Sequence, residues 1–273
     1  MENPKLHVPA GHYYSPIPSN EDINFSMALS QVTRIGEIDL NRISQINLRN
    51  LLLDKYNLTI YSLINDATNF EFKNTWFSGS DAITSSLLLQ HLKPKRILEI
   101  GSGYSTALIS DLNLKFFSNL IEFTTVDPNA ERVKLLNLNV NLISRKVQNL
   151  GIEHFSRLQT GDILFIDSSH VIKAGSDLAY LFFEVFPILN VGVKIHFHDI
   201  FYPFEYPENW LKSGVAFNEI YGLRLFLQNS INYQIYYWND FLEKTDRDWF
   251  EKNMPLCLES RFPTGGIWIE KII

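Results

Sequence analysis

The chain has 273 residues, with 24 Lys and Arg against 30 Asp and Glu, a formal charge of −6 and 45% apolar residues. That apolar fraction supplies a core for one large domain or two small ones and excludes a disordered chain, while 13 Gly, 11 Pro and the lone Cys257 exclude collagen-like and disulfide-stapled classes. The acidic balance disfavours a nucleic-acid-coating protein; with no signal-like stretch in Met1–Tyr14 and no apolar run of membrane-spanning length, the expectation is a soluble, cytoplasmic chain without membrane insertion.

Near the N-terminus, the Pro16 and Pro18 of His12–Pro18 forbid a regular helix. From Ile35 to Tyr56, Ile and Leu recur at helical spacing. Asp81–His91 reads as a helix with Ser80 or Asp81 near its N-cap, stopped by Pro94. The pattern then alternates. Strands are predicted at Arg96–Ile100, Ile121–Val126, Ser144–Gln148, Asp162–Ile166 and Gly192–Phe197. Helices are predicted at Tyr104–Asn113, Ala130–Leu138 and Gly175–Leu189, the last with Phe182, Phe183 and Phe186 facing the core. Alternation of this kind implies βαβ crossovers and a mostly parallel sheet covered on both faces. Residues 1–75 form an N-terminal helical or irregular extension, a lid or an oligomer arm, ahead of one α/β domain over 76–273.

In such sheets ligands sit beyond the C-terminal strand ends. Polar residues gather there: Glu99 to Gly103, Asp127, Asp167 and His198-Asp199. Gly101-Ser102-Gly103 after a strand is either a structural turn or a close approach to a ligand. Thr106 stands where a dinucleotide fingerprint needs its third Gly, so that fingerprint fails. A carboxylate at Asp127 suits ribose hydroxyls, and Glu99 suits an amine.

Ile97–Thr106 resembles the first motif of class I S-adenosylmethionine-dependent methyltransferases, Thr124–Asp127 their second, Asp162–His170 their fourth-strand motif and Gly192–Asp199 their fifth strand. The resemblance covers roughly 80–273 and looks closest to bacterial members related to the macrocin and cephalosporin-cluster O-methyltransferases. It implies a doubly wound, Rossmann-like seven-stranded mixed sheet, with Tyr233–Trp238 as strand six and Gly266–Lys271 as an antiparallel strand seven. It further implies S-adenosyl-L-methionine as cofactor, held by Glu99, Gly101, Ser102, Gly103, Tyr104, Ser105, Asp127, Gln148 and Asn149, and methylation of a hydroxyl on a small-molecule or carbohydrate acceptor. Asp167, His170 and His198 are the catalytic candidates. Relatives carry an acidic pair where this chain has His198-Asp199. A divalent metal held by Asp167, His198 and Asp199 would then be Mg²⁺ or a borderline ion such as Zn²⁺ or Mn²⁺.

Other readings stand beside this one. His196 and His198 share a strand face, and His-x-His binds Zn²⁺ in metal-dependent hydrolases; alternatively His196 is a core residue and only His198 reaches the rim. A catalytically silent cofactor-binding module is a third reading, and RNA methylation a fourth, which the acidic charge disfavours. Tyr206, Trp210 and Phe217, in the insertion after the fifth strand, suit an acceptor pocket or an oligomer contact.

Overall fold

The computed structural model describes residues 7–31, 35–136, 138–260 and 262–273. In chain order the elements are α1 (Asn20–Ser30), α2 (Arg42–Asp66), α3 (Gly79–Leu92), β1 (Arg96–Ile100), α4 (Tyr104–Phe117), β2 (Glu122–Val126), α5 (Glu131–Leu136), β3 (Asn141–Ile143), α6 (Glu153–Ser156), β4 (Ile163–Ile166), α7 (Asp177–Tyr180), β5 (Lys194–Phe197), α8 (Glu208–Lys212), α9 (Glu219–Asn229), β6 (Tyr233–Trp238), α10 (Asn239–Thr245), α11 (Arg247–Asn253) and β7 (Ile267–Lys271).

Seven strands form one sheet in the order β3-β2-β1-β4-β5-β7-β6. β7 runs antiparallel to both β5 and β6, and the pairings among β1 to β5 are parallel. This is the α/β mixed sheet expected. β4 and β5 are buried along their whole length; β4 accordingly reads as an apolar run, while β5 buries the polar Lys194 and His196 between Ile195 and Phe197. Asp162 ties the entry of β4 to that of β1, its carboxylate accepting from the backbone N–H of Lys95 and Arg96. β1 pairs with β2 on one side and β4 on the other, so the strand order reverses at β1 and a crevice opens above the β1 and β4 ends.

Three local expectations change. The third strand lies at Asn141–Ile143, and Val147–Asn149 is a 3₁₀ turn. The helix from Gly175 is irregular: after α7 it loosens to a π turn at Leu181–Val185 and tightens to a 3₁₀ turn at Phe186–Ile188. The changed winding buries Phe186 but leaves Phe183 69% exposed. At α3 the N-cap is Ser78, with no side-chain cap bond, and Asp81 does not cap.

The extension packs onto the C-terminal half. In α2, Arg49 pairs with Asp246 at 2.7 Å, and Gln45 Oε1 accepts from the Trp238 backbone N–H. In α1, Ser26 hydrogen-bonds Glu205. No helix among the described residues is long and apolar enough to cross a membrane.

Candidate active site

Gly101 ends β1 with φ +91°, a conformation open to glycine. A Cβ there would stand 1.7 Å from the carbonyl oxygen of Asp167. The glycine therefore serves the close approach of the β1 and β4 ends. Around Gly103, by contrast, a Cβ would meet nothing within 4 Å.

A cleft of about 460 Å³ opens over these ends. Its walls include Gly101, Ser102, Asp127, Asn129, Lys146, Gln148, Asp167, Ser168, Ser169 and Asp177. Asp127 is braced on both oxygens: Ser102 Oγ donates to Oδ2 at 2.5 Å, and the Asn129 N–H to Oδ1 at 2.7 Å. Gln148 Nε2 donates to the Gly175 carbonyl at 2.7 Å.

Beneath the cleft, Glu99 is fully buried and accepts from Ser105 Oγ and Thr106 Oγ1, each at 2.7 Å. Burial raises its pKa to about 7 against those hydrogen bonds. Glu99 and Ser105 thus lie behind the wall. Tyr104 packs under the Arg132 guanidinium, 3.8 Å from its ring centre, and donor Nη2 reaches its hydroxyl. Asn149 closes the 3₁₀ turn beside Gln148 and is not on the cleft wall.

Asp167 belongs to the cleft and also to a cluster at the β4 and β5 ends. His170 Nε2 lies 3.5 Å from Asp167 Oδ1 and 3.7 Å from Asp199 Oδ2. His198 Nδ1 lies 3.6 Å from Asp167 Oδ1 and 3.4 Å from Asp199 Oδ1. Burial opposes charge on both rings, but the carboxylates win. Asp199 and Asp167 hold the His198 pKa well above its ordinary value, and hydrogen bonds to Asp167 and Glu219 do so for His170. Burial would raise Asp167, yet the His198 charge and the His170 hydrogen bond keep it well below the carboxylate range. His170 and Asp199 carry φ of +56° and +58°, in the left-handed region that is uncommon for side-chain-bearing residues but that His and Asp enter more readily than most.

These elements, from β1 to the end of β5, coincide with a family profile described as "Methyltransferase domain", which matches residues 98–200. The chain carries a methyltransferase domain. Among curated proteins the methyltransferase is 30% identical over 162 residues to an uncharacterized protein of Archaeoglobus fulgidus, covering 55% of this chain and 73% of that one. A solved structure of a Staphylococcus aureus protein assigned as a caffeoyl-CoA O-methyltransferase aligns with 16% identity and a TM-score of 0.46, over 85% of this chain and 100% of that one.

Among the described residues, no three or more His, Cys, Asp or Glu side chains are grouped so as to hold a metal ion. His198 Nδ1 stands within ion-pair distance of both Asp167 and Asp199. The metal expectation therefore finds no support among the described residues. His196 and His198 belong to no such group either. His196 is fully buried, stacks on Phe165 at 4.0 Å between ring centres, and is kept neutral by that burial.

The insertion after β5 forms one aromatic cluster. Tyr206 packs on Trp210 and Phe217, and Phe217 lies 4.9 Å from the His170 ring. Sequence reasoning missed Asn129, Lys146, Ser168, Ser169 and Asp177 on the wall, and Glu219 behind His170. Ser168 and Ser169, adjoining Asp167, were the legible ones; Glu219 had no local signal.

Proposed function

We propose that this methyltransferase moves the methyl group of S-adenosylmethionine to a hydroxyl oxygen of a small-molecule or carbohydrate acceptor. The observation that carries this reading is Asp167, a single carboxylate shared by the cleft and the imidazole cluster. When bound, the cofactor supplies an electrophilic methyl and its own neutral leaving group.

Asp127 accepts from the ribose hydroxyls, in place of or beside Ser102. Gln148, with Pro128 and Val147, borders the adenine end of the same cleft. Gly101 and Ser102 line the floor, while Glu99, through Ser105 and Thr106, stiffens the first turn of α4 beneath it. The acceptor hydroxyl lies against Asp167, whose side chain is 29% exposed, the most open of the cluster. As the O–CH₃ bond forms, the hydroxyl proton passes to the carboxylate–imidazole cluster, which titrates as a unit. Phe217 and its aromatic neighbours flank His170 and wall the acceptor side.

Calorimetry with S-adenosylhomocysteine tests the reading. One-to-one binding is expected, weakened by Asp127→Ala. Folded protein that takes up no ligand would remove the cofactor from this cleft.

A further inference from the structure

Each of the two imidazoles that face Asp167 has a second carboxylate at its opposite ring nitrogen, hydrogen-bonded in the case of His170 and at ion-pair distance in that of His198. His198 Nε2 lies 3.4 Å from Asp81 Oδ2, on a helix that precedes the whole sheet in the chain. His170 Nδ1 lies 2.7 Å from Glu219 Oε2, in the first turn of α9. We propose that Asp81 and Glu219 are positioning residues, which orient His198 and His170 from behind so that the other nitrogen of each ring faces the Asp167–Asp199 pair. The proposal rests on the reading that this cluster receives the acceptor proton.

Several observations converge. A tied ring nitrogen fixes which face of the imidazole is presented, because a half-turn of the ring would break the contact. Both positioning residues are themselves anchored. Asp81 Oδ1 accepts from Asn239 Nδ2 at 2.9 Å and Oδ2 from the Gly265 N–H at 3.2 Å. The α9 start is pinned because the His170 carbonyl accepts from the N–H groups of Asn218 and Glu219. Both carboxylates are almost completely buried. Burial of this kind is costly for a carboxylate unless charge or hydrogen bonds meet it. An ordinary role at the helix start does not account for Asp81, since its oxygens meet residues 198, 239 and 265. The His170 and Asp199 backbones, both at positive φ, belong to the same cluster.

The test needs no acceptor. Protein labelled with ¹⁵N-histidine is compared by ring N–H spectra for wild type, Asp81→Asn and Glu219→Gln, with circular dichroism as the fold control. The expected result is reciprocal: Asp81→Asn shifts or loses the His198 ring signals and spares those of His170, and Glu219→Gln does the reverse. Unchanged signals of the targeted ring in a folded variant would overturn the proposal, as would equal changes at both rings in both variants. Asp81 also anchors Asn239 and Gly265; if Asp81→Asn does not fold, Glu219→Gln with rescue by Glu219→Asp decides. Calorimetry of wild type with S-adenosylhomocysteine separately tests the cofactor reading, so the two failures are told apart.

Discussion

Gly101 and Asp167 touch across the β1–β4 junction: the space for a side chain at one is filled by the carbonyl oxygen of the other, 1.7 Å from a would-be Cβ. Adding a methyl group there forces both strand ends apart at a φ that only glycine adopts freely. Gly101→Ala is expected to cost about 2–5 kcal/mol, read as a lower urea midpoint. An unchanged midpoint would show that the junction relaxes without strain.

In the proposed binding mode Asp127 meets the ribose hydroxyls with a carboxylate already oriented by Ser102 and Asn129. Asp127→Ala is expected to weaken S-adenosylhomocysteine binding by about 1–3 kcal/mol, the cost of leaving buried donors unpaired. Equal affinity in a folded variant would move the ribose elsewhere.

Asp167 meets the cleft from one side and both imidazoles from the other. Asp167→Asn keeps its volume but removes its charge. Turnover, followed as methyl transfer from tritiated S-adenosylmethionine, is expected to fall by roughly 10²-fold or more, with a much smaller change in cofactor affinity. Full turnover would take Asp167 out of the chemistry.

A pH effect follows from the acids buried beside α3. Burial raises Glu243 from 4.5 to about 8, and Asp240 from 3.8 to about 6. The folded protein therefore keeps protons that the unfolded chain releases. Their contribution is fully present below the unfolded values and is lost as pH rises towards 6 for Asp240 and 8 for Glu243. Glu243→Gln, neutral throughout, is expected to flatten this fall and to be more stable than wild type at pH 8 by roughly 2–4 kcal/mol. Denaturation series at pH 5 and pH 8 measure it; parallel curves for the two proteins would contradict it.

Much of the site was legible because parallel strands announce themselves locally. Arg96–Ile100 and Tyr233–Trp238 form strands over the residues expected, since each apolar run sits between clear stop signals. Asn141–Ile143 escaped because a strand of three residues leaves too little pattern to fix its register. Phe183 was misplaced because periodicity assumes 3.6 residues per turn, and the π turn breaks that count.

The sequence by itself determined most of the strands and which polar residues end them, because strand periodicity and turn chemistry act between near neighbours, while the seven-stranded mixed order followed from the family resemblance. Only the tertiary structure decided that Glu99 turns beneath the floor, that His196 packs on Phe165 while His198, also buried, meets carboxylates, and that Asp81 and Glu219 stand behind the two imidazoles. Those facts depend on contacts between segments far apart in the chain, and the burial they create sets the charge and orientation of each group.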